Sequence, residues 1–252
     1  MSYCVALKLD SGLIFLSDTL NNGGLDNISH YPKTFTWGCP GERQIFLATA
    51  GNLATSQAVI STLSERNKAA NDRKPSILEA PSMFQVARIV SQTLAEVIGI
   101  TSPDEQASES TFSATFILGG QVKGGDMRLY LIYPEGNFIE VSEENPFFQI
   151  GETKYGRPIL VRAFDPEMSV EAATKLLMVS FDSTIKANLS VGLPLDIHVY
   201  EKDSLNPARK GVVDTNNAYY RMISGKWAES LKNSLAALPE LNFETDISTK
   251  GN

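Results

Sequence analysis

Ser2-Tyr3-Cys4-Val5-Ala6-Leu7-Lys8-Leu9-Asp10-Ser11-Gly12-Leu13-Ile14-Phe15-Leu16-Ser17-Asp18 is the stretch that decides the fold of this chain. Tyr3, Val5, Leu7 and Leu9 alternate with Cys4, Ala6, Lys8 and Asp10, the period-two pattern of a half-buried strand. Asp10-Ser11-Gly12 signals a tight turn, and Leu13–Leu16 returns as a second strand, so a hairpin stands at the very N-terminus. Removal of Met1 would leave Ser2 carrying a hydroxyl and a free α-amine on one residue. Such an amine titrates at about 7.7–8.0, low enough to act as a base near neutral pH. N-terminal hydroxyl residues activated by their own amine are a known class of covalent catalyst.

Beyond the hairpin, Thr34–Trp37 and Gln44–Thr49 read as a strand pair joined by Cys39-Pro40-Gly41. From Leu53 the spacing turns helical, with Leu53, Ala54, Ala58, Ile60 and Leu63 in the pattern. Asn67–Pro81 is polar, holds two prolines and reads as a loop. Ser82 and Gln85 make a capping-box pattern ahead of a stripe through Met83, Val86, Ala87, Val90, Leu94, Val97 and Ile98. After a polar Thr101–Ser110 segment come strands at Thr111–Leu118, Met127–Tyr133 and Phe138–Val141. Gly119-Gly120, Gly124-Gly125 and Glu135-Gly136-Asn137 are read as the turns between them. Pro158–Ala163 is expected as a short helix, Val170–Lys186 as a long one and Leu195–Tyr200 as a strand. Tyr219–Ile223 reads as a further strand, and Trp227, Leu231, Leu235 and Leu238 mark a last helix.

Segregated runs of strands and helices favour α+β over alternating βαβ units. A four-layer αββα sandwich, two antiparallel sheets flanked by helices, would use every element. One domain over residues 1–240 with a polar tail at 241–252 is the simplest division. At 252 residues, 42% hydrophobic and 20% charged, the chain can bury a full core. Its net charge of −7, with no basic cluster, argues against nucleic acid or an anionic membrane as partner. Lys8 and Asp10 interrupt the apolar start, and no run approaches the ~18 apolar residues of a membrane span. Cys4 and Cys39, the only cysteines, suggest free thiols in a reducing compartment, so the expected location is cytoplasmic. His30 and His198 fall on different elements and make no metal cluster. No G-x-S-x-G elbow and no phosphate-binding glycine loop occurs.

On this scaffold Ser2 opens the first strand, Asp18 ends the second and Lys33 opens the next. Ala50-Gly51-Asn52-Leu53 is a strand–helix junction whose free backbone N–H groups suit an oxyanion. This arrangement resembles proteasome-type β subunits, members of the N-terminal-nucleophile hydrolases. It is most similar to their bacterial ancestral β-subunit branch, Anbu. The stretches that carry the likeness are Asp26–Ser29, Ala50–Thr55, Ile150-Gly151-Glu152-Thr153-Lys154-Tyr155-Gly156, Phe181–Thr184 and Asn188–Gly192, with coverage from Ser2 to about Tyr200.

The resemblance implies Ser2 as nucleophile and base, Lys33 as a cation beside its hydroxyl, Asp18 as the partner holding Lys33, and Gly51 N–H as oxyanion donor. It implies Asp182 and Ser190 as a supporting acid and hydroxyl. Two departures stand out. Serine replaces the family's usual threonine, whose β-branch restricts χ1. Gly151-Glu152-Thr153 occupies the place of a Gly-Ser-Gly turn, which would set the Glu152 carboxylate near the Ser2 amine. Thr49 and Leu53 flank the oxyanion glycine and are the expected, uncharged substrate-pocket residues. The expected function is a proteasome-type peptidase working without metal or cofactor on a peptide or small amide, assembled as a homo-oligomeric ring or spiral. The alternatives are a non-proteolytic amidase or acylase on the same fold, and a ring-forming subunit with a vestigial site.

Overall fold

A computed structural model describes residues 2–22, 28–68, 74–101 and 112–243. The sequence readings at Met1, at Asp26-Asn27, over 69–73 of the expected loop, over 102–111 and in the tail beyond position 243 lie outside those residues. β1 (Tyr3–Leu9) and β2 (Gly12–Asp18) form the expected hairpin, with Cys4 opposite Ser17 and Leu9 opposite Gly12. Both strands sit inside a five-stranded antiparallel sheet ordered β10-β1-β2-β11-β12, where β10 is Phe147–Gly151, β11 Leu195–Glu201 and β12 Arg209–Val213. A second antiparallel sheet runs β5-β6-β7-β8-β9 through Thr34–Cys39, Arg43–Gly51, Ala114–Val122, Arg128–Ile132 and Phe138–Glu140. Two short strands, β3 (Leu20–Asn22) and β4 (Ile28–His30), pair with each other beside them.

The strand parities sort into layers. Cys4, Ala6, Leu13 and Phe15 from the first sheet meet Phe46, Ala48, Ala50 and Ile117 from the second in one buried core. The opposite face of the second sheet carries Ile45, Leu47, Phe116 and Leu118 against helices α1 (Leu53–Lys68) and α2 (Met83–Thr101). Their contacts are Val59 and Leu63 on α1 and Val86, Val90 and Leu94 on α2. Tyr3, on the outer face of the first sheet, packs its ring at a tilt, centroids 4.3 Å apart, against Phe181 of α4 (Val170–Ala187), which follows the short α3 (Arg157–Ala163). The αββα sandwich is therefore present. The chain divides into two compact units, Met1–Thr215 and Asn216–Asn252. The second holds α5 (Ala218–Ala236), whose first turn is capped by the Asn217 side chain accepting the Tyr220 N–H at 2.9 Å.

Several local readings need correction. β1 is not half-buried: six of its seven residues are buried, because a sheet lies on one face and a helix layer on the other. Gly119-Gly120 is not a turn but lies inside β7, opposite Phe46 and Ile45. A Cβ at Gly119 would fall 2.8 Å from the Phe15 ring, so the missing side chain is what admits that ring between the sheets. Tyr219–Ile223 is the first part of α5 rather than a strand. β10 and β12 were missed, since Phe147-Phe148 follows an acidic loop and β12 is an exposed edge with little hydrophobic signal. The Ser82 cap is as expected, its hydroxyl accepting the Gln85 N–H at 3.3 Å.

Candidate active site

Each sheet delivers two of the sequence-selected residues to the same end of the sandwich. Ser2 precedes β1 and Asp18 ends β2 in one sheet, while Lys33 precedes β5 and Gly51 ends β6 in the other. The Lys33 ammonium crosses between them to Asp18 Oδ1 at 2.7 Å and also donates to the Leu20 carbonyl at 2.7 Å. Asp18 Oδ1 accepts in addition the Tyr3 N–H at 2.8 Å, which ties the pair to the residue after Ser2. Burial pushes the Asp18 carboxyl above its usual range, against the opposing pull of the Lys33 charge and these hydrogen bonds.

Gly51 requires its residue type: its φ is +108°, and a Cβ would lie 2.5 Å from the Ser113 carbonyl oxygen. Thr49 N–H donates to the Lys33 carbonyl at 2.8 Å, so amides of this parity face the β5 side. Two residues on, the Gly51 N–H points to that same side, beyond the start of β5. Asn52 follows and caps α1, its side chain accepting the Thr55 N–H at 3.0 Å.

These groups open onto a cavity of about 340 Å³. Ser2, Lys33 and Gly51 line it, as do Thr49 and Leu53. Tyr31, Phe35, Gln57, Ile60 and Ser61 also contribute, and sequence reasoning missed all five. The signal was present for three of them: Leu53, Ser56, Gln57, Ile60 and Ser61 recur at the spacing of one helix face. Among the described lining residues Lys33 has the one acidic or basic side chain.

On the far side of Ser2 lies a second group. Gly151 has φ +83°, and a Cβ there would lie 1.9 Å from the Ser2 carbonyl oxygen. That carbonyl accepts the Glu152 N–H at 2.7 Å. The Glu152 carboxylate is buried and accepts from Asn188 Nδ2 at 2.8 Å and from the Lys154 N–H at 3.2 Å. Asn188 Oδ1 in turn accepts the Ser190 N–H at 2.9 Å. Ser2, Glu152 and Ser190 thus stand on one chain of hydrogen bonds through Asn188, a linking residue that had no role in the sequence reading. Asp182, in α4, accepts from Lys186 Nζ at 2.9 Å. Cys4 is fully buried, its thiol reaches the Thr49 carbonyl at 3.4 Å, and burial pushes its pKa up, so it is held as an unreactive thiol. Below the site the Tyr3 phenol meets Ser180 Oγ at 2.8 Å and accepts from Gln149 at 2.5 Å, and burial raises its pKa to about 12.

The family model of the proteasome subunit matches residues 2–197. The chain belongs to the proteasome subunit family. Within it the likeness is to the ancestral β-subunit branch. Anbu from Yersinia bercovieri is 40% identical, with a TM-score of 0.88 over 95% of this chain and 98% of its own. Anbu from Hyphomicrobium sp. strain MC1 is 42% identical, with a TM-score of 0.87 over 95% and 99%. The structure described as the helical assembly of the Anbu complex from Pseudomonas aeruginosa is 43% identical, with a TM-score of 0.89 over 96% and 99%. No curated protein matches the chain. The proteasome-like, N-terminal-nucleophile type of fold seen in this subunit is therefore shared with those Anbu structures. Among the described residues no helix is long and apolar enough to cross a membrane.

Proposed function

We propose that this proteasome-family subunit hydrolyses amide bonds by acyl transfer to Ser2, once Met1 has been removed. One observation carries the reading: a buried ammonium, Lys33, is fixed by Asp18 and the Leu20 carbonyl at the cavity that Ser2 and Gly51 also line. The Ser2 hydroxyl attacks the substrate carbonyl while its α-amine takes the proton. The Lys33 charge favours the developing alkoxide, and Asp18 is its positioning residue. The Gly51 N–H donates to the oxyanion. The amine then hands its proton to the leaving nitrogen, leaving an ester on Ser2. The same amine deprotonates the water that cleaves that ester, releasing the acid and restoring the hydroxyl. Thr49 and Leu53 wall the substrate pocket. Glu152, Asp182 and Ser190 support the N-terminal end from the α4 side, Glu152 and Ser190 through Asn188.

A peptide or small amide in the cytoplasm is the substrate class, and the working form is a homo-oligomer, as the helical assembly described for the Pseudomonas aeruginosa relative supports. Intact mass of purified protein should show Met1 absent, and a serine-directed electrophile should add once, at Ser2. Ser2→Ala should abolish labelling and turnover with folding unchanged. Acetylation of the α-amine should cost roughly 10²–10⁴-fold, the usual worth of general-base assistance. Full activity in N-acetylated protein would remove the amine from the mechanism.

A further inference from the structure

Tyr3 is fully buried, and packing against Phe181 would be met equally by a phenylalanine. A buried hydroxyl costs free energy unless partners are supplied, and here separate segments supply them. Gln149 of β10 donates its Nε2–H to the phenol oxygen, and the phenol meets Ser180 Oγ of α4 at 2.8 Å. Ser180 Oγ directs its single proton to the Gly156 carbonyl at 3.1 Å. The phenol is therefore the donor between the two hydroxyls, and the chain runs one way, from Gln149 through Tyr3 and Ser180 to Gly156. With its pKa raised to about 12, the phenol keeps that proton across the neutral range. Gly156 has to be glycine for the chain to close, since a Cβ would lie 2.1 Å from the phenol oxygen and 2.3 Å from Ser180 Oγ.

Gly156 ends a loop whose beginning holds Ser2. The Ser2 carbonyl accepts the Glu152 N–H at 2.7 Å and the Tyr3 N–H donates to Asp18 Oδ1 at 2.8 Å, so both polar atoms of the Ser2–Tyr3 peptide are held. Residues 151–156 meet β1 first at the Ser2 carbonyl and are tied back to it through Ser180 at the Tyr3 side chain. We propose that Tyr3 is a positioning residue: with Ser180, its phenol clasps the 151–156 loop to β1 and fixes the peptide plane from which the Ser2 hydroxyl and α-amine project. The inference rests on the acyl-transfer reading for what Ser2 does, but the clasp is also read without chemistry. Freed at Gly156, the loop lets the Glu152 N–H shift, and Ser2 turns with it.

Two measurements on the full-length, assembled protein test it, both well below the melting temperature of every variant. One is the rate at which a β-lactone forms an ester at Ser2, followed by intact mass over a range of lactone concentrations. The other is amide hydrogen exchange over residues 150–156. Tyr3→Phe keeps the ring and its Phe181 contact and removes only the hydroxyl. Its maximal labelling rate should fall about ten- to a hundredfold, the upper figure matching a misplacement of about 1 Å, with the half-saturating lactone concentration unchanged. Exchange over 150–156 should quicken. Ser180→Ala breaks the same chain one link further on and should match it, and it carries the comparison if Tyr3→Phe fails to assemble. The double variant should be no slower than either single, as for groups acting as one unit. Phe181→Leu loosens the same ring but leaves every donor and acceptor of the chain in place, so it should lower the melting temperature and label near the wild-type rate. Wild-type labelling by Tyr3→Phe, or an equal loss in Phe181→Leu, would overturn the inference. If the wild type itself takes no label, the acyl-transfer reading falls and exchange alone decides: unchanged protection of 150–156 in Tyr3→Phe would overturn the clasp, and faster exchange would leave it standing.

Discussion

Replacing Lys33 with methionine keeps an apolar stem of similar length and removes the charge with its two donated hydrogen bonds. The Asp18 side chain is fully buried and that of Lys33 is 7% exposed, so this pair sits where removing one partner is costly. Breaking a buried pair from one side destabilises by about 3–5 kcal/mol, because the other charge is left uncompensated. Asp18 Oδ2 already lacks a hydrogen-bond partner among the described residues, so no second donor is at hand to take over. At about 2–4 °C per kcal/mol for a chain of this size, the melting temperature should fall by roughly 6–20 °C at neutral pH.

The deficit should also depend on pH, with a definite sign. Without Lys33, burial still raises the Asp18 carboxyl and only the Tyr3 N–H bond and the N-terminal charge oppose it, so the folded-state pKa moves further up. In the unfolded chain it lies at about 3.9. Below that value the carboxyl is protonated in both states and imposes no penalty. As pH rises through the folded-state pKa the penalty grows and then levels off. Calorimetric melting of wild type, Lys33→Met and the Lys33→Met/Asp18→Asn double variant from about pH 4 to pH 8 tests this. The double variant should recover most of the neutral-pH loss and lose the slope. A deficit that is constant with pH, or that Asp18→Asn fails to relieve, would show that Lys33 acts through packing and refute the charge-compensation argument.

Gly151→Ala should be among the most disruptive single changes, since the added Cβ meets the Ser2 carbonyl at 1.9 Å on a left-handed backbone; loss of electrophile labelling at Ser2 together with a lower melting temperature is the expected result. His198 is buried next to Lys210, and burial first, then that charge, lowers its pKa to about 4. Its neutral form therefore favours folding above about pH 6.5, and that stability drains away as pH falls through about 4. His198→Phe should flatten the acid limb of a melting-temperature profile, and an unchanged limb would assign acid sensitivity elsewhere.

Much of this fold was legible because its long elements have clean periods. β1, β2, α1, α2 and α4 follow alternation or a helical stripe, and the strand ends and strand–helix junction among them mark Ser2, Lys33 and Gly51, which line the cavity, and Asp18 behind them. What escaped has physical causes. Burial of β1 on both faces depends on layers contributed from elsewhere in the chain, and alternation alone describes one face. Gly119-Gly120 has the composition of a turn, yet a strand interior needs glycine where a ring from the facing sheet approaches, and that neighbour is distant in sequence. Tyr219–Ile223 is aromatic and β-branched enough to read as a strand, and only the Asn217 cap and the length of the following segment make it helix. In the site, hydroxyl, carboxylate and ammonium were found by type. Asn188, the Leu20 carbonyl and the α1 residues Gln57, Ile60 and Ser61 were not, because their contribution comes from where the backbone puts them.

The Lys33–Asp18 contact joins groups borne on opposite sheets, and the core between those sheets is what sets their spacing. Neither half of the sandwich owns a complete site. On the proposed mechanism, a nascent or partly opened chain would hold the Ser2 hydroxyl apart from both the Lys33 ammonium and the Gly51 N–H. Competence for chemistry at this end of the molecule therefore appears only when Phe15, Phe46 and their neighbours have closed upon one another. The packing would then act as a checkpoint: a chain that had not finished folding would lack the assembled groups that the proposed acyl transfer needs.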